Sequence, residues 1–305
     1  RNLYIEDSYC EFGLMMVIWV ISKHLKVFKT ILERIRLSSI LNFSLTTCIG
    51  ATLSEGIFNY KIISLLIFAG FSTTFGFLLN DFTDRELDKS AGKMRNLFST
   101  GTLQINRGII IISCLFLVST ASLSSLNPMN KLLGLILLFL YFTYSWIIRA
   151  KTRPILDILY HGSCPAILIT MGYIENKPDN FAGILLALLV FSLSSISEIL
   201  QETRDYESDS KKFKTTVIML GKKNSMILCS ILFTFATIIS FSLLLWRIIP
   251  LETILLSPIV YFYIVPIFKS VTNGKYEKRS VIRLKKGILP LIILLITIIV
   301  IKECE

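Results

Sequence analysis

The chain has 305 residues, 53% of them hydrophobic and only 17% charged, with a mean hydropathy of +0.67. That composition points to a membrane protein and excludes a disordered chain, while 15 Gly and 8 Pro exclude a collagen-like repeat. The net charge of +11 reads as basic loops facing anionic membrane lipid, so no nucleic-acid partner is expected.

In chain order, residues 10–22 form the first apolar run, but it has only thirteen residues and contains Glu11. It is read as interfacial or docked against the bundle. Acidic Glu6 and Asp7 precede it where a signal peptide carries basic residues, so a cleaved signal is not expected. A spanning helix needs about 20 apolar residues, because about 30 Å of hydrocarbon is crossed at about 1.5 Å per residue. Nine later segments meet that demand: 38–55, 62–79, 108–124, 132–148, 155–174, 181–200, 226–246, 251–268 and 287–301. Lipid offers open backbone groups no partner and the runs are too long for barrel strands, which predicts an all-α, multi-pass bundle of nine transmembrane helices. The chain then divides into an N-terminal arm, residues 1–36, and a membrane domain, residues 37–305.

Counting Lys and Arg on alternate sides of nine helices places 26 of the 32 on one side and 5 on the other, with Arg1 at the start of the chain. The asymmetry predicts a cytoplasmic N-terminus and a C-terminus on the opposite side of a cell membrane. The six Cys (Cys10, Cys48, Cys114, Cys164, Cys229, Cys304) are scattered singly without a C-x-x-C, and the chain has only two His. Neither a disulfide scaffold nor a zinc or haem site is expected.

Nine of the 21 acidic residues crowd into two stretches, Asp81, Asp84, Glu86, Asp88 and Glu198, Glu202, Asp205, Glu207, Asp209. Both fall at the cytoplasmic ends of expected spans, the second and the sixth. At about 100° per residue, Asp81, Asp84 and Asp88 lie within about 60° of one another, and Asn80 widens the arc to about 100°. Glu202, Asp205 and Asp209 repeat the +3, +4 spacing 121 residues later, and Glu198 lies one turn deeper on the same face. Carboxylates crowded on one face at a membrane boundary repel and are partly desolvated, so a counter-charge is expected. Oxygen ligands at this density suit a hard divalent ion, and a few carboxylates with phosphate oxygens are the habit of Mg²⁺. The alternative for either stretch alone is a solvated helix end paired with Arg85, Lys89 or Arg204.

The pattern Asn80-Asp81-x-x-Asp84-x-x-x-Asp88 closing the second helix, with a second acidic motif after the sixth, resembles the UbiA superfamily of intramembrane prenyltransferases. The resemblance covers about residues 28–301. Residues 28–41 resemble the family's opening segment, whose Arg matches Arg36. Tyr144-Ser145-Trp146-Ile147-Ile148-Arg149 resembles its Y-S-x-x-x-K step. Residues 198–209, followed by Lys214-Thr215-Thr216 and Gly221, resemble the E-I-L-K-D-I-E-D-Y-E-G-D stretch and following T-L-P-x-x-x-G familiar from archaeal digeranylgeranylglyceryl phosphate synthases. The sequence departs from the family after Asp88. Where N-R-P-x-R-P-L-x-x-G is usual, residues 92–101 keep the spacing and the final Gly but lose the prolines; Lys93 takes the first Arg position and Arg95 lies one place from the second. Glu202 replaces the opening Asp of the second motif.

The resemblance implies a Mg²⁺-dependent prenyltransferase with a cytoplasmic-side site. Asn80, Asp81, Asp84, Asp88, Glu202, Asp205 and Asp209 would be metal ligands, with Asp84, Asp88, Asp205 and Asp209 as the catalytic acids. Arg36, Lys93, Arg95, Arg149 and Lys151 are candidate diphosphate partners, although each also serves the positive-inside pattern. Tyr144, His161 and Glu198 are candidate contacts to the acceptor or to an allylic cation; packing roles compete for Tyr144 and His161. The implied partners are an isoprenyl diphosphate donor, a hydrophobic or amphiphilic acceptor and membrane lipid. Geranylgeranylglyceryl phosphate is the first expected acceptor and an aromatic quinone precursor the second. A terpene cyclase on the same scaffold, with no acceptor, is the other outcome. A transporter is disfavoured, because its charges would gather at the bilayer midplane rather than at one boundary.

Overall fold

The computed structural model describes residues 36–54, 60–90, 92–177, 181–210, 214–251 and 253, without the side chains of 208 and 209. Its helices are α1 (Leu37–Leu53), α2 (Tyr60–Thr83), α3 (Arg85–Ser90), α4 (Ile105–Ser122), α5 (Pro128–Phe142), α6 (Leu156–Ile174), α7 (Phe181–Asp209) and α8 (Thr216–Leu245). Short 3-10 turns at Leu123–Ser125 and Ala150–Thr152 and a π turn at Thr143–Ile147 join them, and no strand occurs among the described residues. The first seven expected spans coincide with α1, α2, α4, α5, α6, α7 and α8. The ninth span, the eighth beyond its first residues, the N-terminal arm with its apolar run at 10–22, and both chain ends lie outside the described residues.

Among the described residues, five segments are long and apolar enough to cross a membrane: Tyr60–Thr83, Ile105–Ser125, Pro128–Ile147, Phe181–Glu207 and Thr216–Leu245. Their outward faces are apolar, with Ile110, Leu117, Phe139, Ile231 and Phe241 exposed, as a lipid-facing surface requires. The chain is therefore a membrane protein.

The hub is α6, which packs extensively against α1 and α7 and also meets α5. Two glycines set the α1–α6 distance reciprocally. A Cβ on Gly50 would stand 2.1 Å from the Ile169 carbonyl oxygen, and one on Gly172 would stand 2.1 Å from that of Thr47. Backbone thus meets backbone, the close approach through which helices associate where lipid removes the hydrophobic drive. Around this seam Leu65, Phe68, Leu137, Leu168 and Met171 are fully buried in one apolar cluster.

At the end of the bundle away from the acidic motifs, a polar knot ties α5 to α6. The Glu175 side chain is fully buried, with Lys61 Nζ 3.6 Å away. Asn130 Nδ2 donates to Glu175 Oε2 at 2.7 Å and the Asn127 amide donates to it at 3.3 Å. Asn127 caps α5 by accepting from the Asn130 amide, one of the first-turn donors that a helix leaves unpaired.

Candidate active site

The first acidic motif spans the junction of α2 and α3. Asp84 is a turn residue there, yet its amide donates to the Asn80 carbonyl at 3.0 Å and its carbonyl accepts from the Asp88 amide at 2.8 Å. The i to i+4 register therefore runs through the break, which keeps Asn80, Asp84 and Asp88 in the expected sector. Each acid meets a different cation. Arg36 Nη2 stands 3.4 Å from Asp81 Oδ1, with its guanidinium 4.9 Å from the Phe77 ring centroid. Lys93 Nζ stands 3.0 Å from Asp88 Oδ1. Asp84 receives two, Lys151 Nζ at 2.5 Å from Oδ2 and Arg149 Nη2 at 3.5 Å from Oδ1.

The connection from α5 to α6 delivers those two cations. The π turn at Thr143–Ile147 lets the Thr143 carbonyl accept from both the Ile148 and Arg149 amides, and π turns concentrate at functional sites. Arg149 follows in the left-handed region at φ 51, a conformation that costs a non-glycine residue about 1–2 kcal/mol. The sharp reversal brings Lys151 back over α2, where its ammonium donates to Asn80 Oδ1 at 2.7 Å as well as to Asp84. Ser145 Oγ donates to the same Asn80 oxygen at 3.4 Å. Burial pushes the Lys151 ammonium below the usual lysine range, against the pull of Asp84. Arg95 is likewise drawn down by burial and by the Arg36 charge, with Asp81 opposing.

The second motif rides on α7, which continues two turns past the expected span limit at Leu200. Glu202 Oε2 accepts from the Val217 amide at 3.2 Å and Glu202 shares a side-chain hydrogen bond with Asp157. Asp205 is held bidentately by Arg204, at 2.8 and 2.5 Å. Glu198, one turn deeper, has its Oε2 3.2 Å from His161 Nδ1 on α6. Asp209 lies on the same helix, and its side chain is outside the described set.

The two motif helices share no packing seam; α6 and α1 are the elements between them. The link runs through side chains. Tyr144 lies within electrostatic reach of Glu198, Glu202 and Arg36 together, and its ring faces that of Tyr160 at 6.1 Å between centroids. Both acidic tips, all five candidate diphosphate partners, Tyr144 and the His161–Glu198 pair thus gather at one end of the bundle. Among the described residues, no three Asp, Glu, His or Cys side chains converge into a closed metal cage. The donor set nonetheless suits a hard cation. Asp84 Oδ1 is buried without a hydrogen-bond partner, and the touching carboxylates of Glu202 and Asp157 need a proton or a cation between them.

Three residues of this site were not among those singled out from sequence. Asn96, 2% exposed, donates to the Asp81 carbonyl at 2.7 Å and to Asp88 Oδ2 at 2.9 Å, while its Oδ1 accepts from the Phe98 and Ser99 amides. It stands where the family pattern carries its second Arg. Asp157 is 1% exposed and accepts from the Thr216 amide at 2.6 Å and from the Thr216 hydroxyl, which ties the start of α6 to the start of α8. Only the family-like Lys214-Thr215-Thr216 step hinted at Thr216; nothing local marked Asn96 or Asp157.

The profile of the UbiA prenyltransferase family matches residues 43–285. The digeranylgeranylglyceryl phosphate synthase of Pyrococcus horikoshii is 30% identical over 191 residues, which cover 59% of this chain and 64% of that one, less than two-thirds of its length. A solved structure from work on digeranylgeranylglyceryl phosphate synthase in membranes superposes with a TM-score of 0.72 at 20% identity, covering 91% of this chain and 99% of its own. A UbiA homologue from Archaeoglobus fulgidus, bound to DMAPP and Mg²⁺, gives a TM-score of 0.73 at 19% identity over 87% and 96% of the two chains. At those identities the two structures speak for the fold.

Proposed function

This chain belongs to the UbiA prenyltransferase family, and from that membership we propose that it moves a polyprenyl group from an isoprenyl diphosphate to a lipid-precursor acceptor inside the membrane, with Mg²⁺. Asn80, Asp81, Asp84 and Asp88 of the first motif and Glu202, Asp205 and Asp209 of the second would hold the ion, with diphosphate oxygens completing its shell. When bound, Mg²⁺ supplies positive charge where the leaving diphosphate becomes negative.

The remaining work belongs to the chain's own groups. Lys151 and Arg149 already converge on Asp84, and a diphosphate docked there meets both, with Arg36, Lys93 and Arg95 around its rim. Fixed cations aimed at the leaving group stabilise charge that develops as the allylic C–O bond breaks. The Tyr144 and Tyr160 rings, tilted by 31° at 6.1 Å between centroids, offer π faces to the carbocation that remains. Burying the tail along apolar helix faces contributes about 0.8 kcal/mol per CH₂. The basic residues gathered at this end support a site on the cytoplasmic side.

The observation that carries the reading is the Lys151 ammonium bridging Asn80 and Asp84, with Tyr144 within electrostatic reach of both Arg36 and Glu202. Geranylgeranylglyceryl phosphate is the favoured acceptor, in keeping with the Pyrococcus relative. The test is incubation of purified protein with Mg²⁺, geranylgeranyl diphosphate and a panel of geranylgeranylglyceryl phosphate and aromatic quinone precursors, read by mass spectrometry. Prenylated glyceryl phosphate is expected. A prenylated ring would move the acceptor assignment, and a cyclic hydrocarbon formed from donor alone would overturn transfer.

A further inference from the structure

We propose that His161 is the general base that takes the proton from an acceptor hydroxyl, with Glu198 as the residue that positions it; this rests on the prenyl-transfer reading above. His161 Nδ1 stands 3.2 Å from Glu198 Oε2. A carboxylate at that distance favours the tautomer with its proton on Nδ1, which leaves Nε2 as the basic nitrogen. Gln201 Nε2 donates to the same Glu198 oxygen at 3.2 Å. The helix spacing is set beside the pair: a Cβ on Gly162 would stand 2.6 Å from Ser195 Oγ, so α6 and α7 are close-packed at this level.

Depth supports the assignment. Glu198 precedes Glu202 by four residues, about 6 Å at about 1.5 Å per residue, so the pair lies one turn further into the bundle than the acid expected to hold metal. A donor with its diphosphate at the motifs and its tail in the bundle places its reacting C1 below the phosphates, towards this level. The ring is also open enough to meet a ligand, with the His161 side chain 33% exposed. Glu198 faces the ring directly; Glu202 on α7 and Tyr144 on the π turn lie within electrostatic reach of Glu198, with Asp157 acting on Glu202 and Arg36 and Cys164 on Tyr144.

The step balances without a further reagent. The allylic C1–O bond breaks and its electron pair leaves with diphosphate. A lone pair of the acceptor oxygen forms the new C1–O bond, the O–H proton passes to Nε2, and the imidazolium beside Glu198 later releases it to solvent.

The test uses the full chain in lipid nanodiscs, with Mg²⁺, geranylgeranyl diphosphate and geranylgeranylglyceryl phosphate. Acceptor kcat/KM is measured from pH 5 to 9, and binding of a non-reactive thiodiphosphate analogue of the donor is followed separately. For the wild type, kcat/KM is expected to fall about tenfold per pH unit on the acid side. His161→Gln should lose at least about 100-fold, the scale of general-base catalysis, and should lose the acid limb while binding the donor analogue as before. Glu198→Gln should shift the limb, which a merely structural residue would not do. A His161→Gln enzyme with the wild-type profile, or one that loses donor binding in step with turnover, overturns the dyad alone. A wild type that neither binds the analogue nor forms product overturns the prenyl-transfer reading beneath it.

Discussion

The two ends of this bundle bury charge on different scales. Around Glu175 a single fully buried carboxylate is met by one lysine, two asparagines and a capped helix start, which ties α5 to α6. At the motif end acids and bases are both numerous: Asp81, Asp84 and Asp88 are met by Arg36, Lys151, Arg149 and Lys93. Each end keeps a buried carboxylate oxygen without a hydrogen-bond partner, Glu175 Oε1 at one and Asp84 Oδ1 at the other. The same helices run through both ends, so the difference lies in what the polar groups are for. One end holds a single acid among amides and one lysine, and the other, open end gathers the cations and acids that an external anion and its counter-ions would need.

That contrast is sharpened first by substitution at the open end. Asp84→Ala or Asp205→Ala should lower Mg²⁺-dependent turnover by about a thousandfold or more, the upper scale for losing a main charge-stabilising group. Both variants should stay folded, with a lower thermal midpoint for Asp84→Ala, which leaves the Lys151 ammonium without its carboxylate; full activity in either purified variant would break the comparison. At the Glu175 end, Glu175→Ala should destabilise the bundle by about 3 kcal/mol, through the hydrogen bonds that Asn130 and Asn127 give to a buried charge, while Lys61 keeps its solvation. Denaturation in detergent would report the loss, and turnover per folded molecule should be retained. The smallest effect is expected at Asn96. Asn96→Ala removes the donor that orients Asp88, worth about 1.5–3 kcal/mol for a hydrogen bond to a charged group. It should raise the half-saturating Mg²⁺ concentration about tenfold or more with little change in kcat.

Much of the fold was legible because helical periodicity and lipid solvation act on local sequence. The +3, +4 spacing put Asp84 and Asp88 on one side of a helix, and the register persists through the turn at Asp84. The expected limit of the sixth span at Leu200 marked the end of apolar sequence; α7 runs on to Asp209 because a helix persists beyond lipid when its polar face has partners, as Glu202 has in Val217. What stayed hidden was pairing across the fold. His161 and Glu198 were each visible as candidates, but their 3.2 Å approach depends on the α6–α7 contact. Asp157 and Thr216 are 59 residues apart, and the facing of Gly50 and Gly172 becomes visible only when α1 and α6 are laid together. No local pattern encodes such distances.

The central claim is that the two acidic helix ends serve a single metal and diphosphate site. Crystals of the protein grown with Mn²⁺ and a thiodiphosphate donor analogue would test it by anomalous scattering. The account predicts manganese peaks in one cavity, coordinated by Asp84 or Asp88 on one side and by Glu202 or Asp205 on the other, with the diphosphate between them. Metal confined to one motif, or two motifs serving separate cavities, would contradict it.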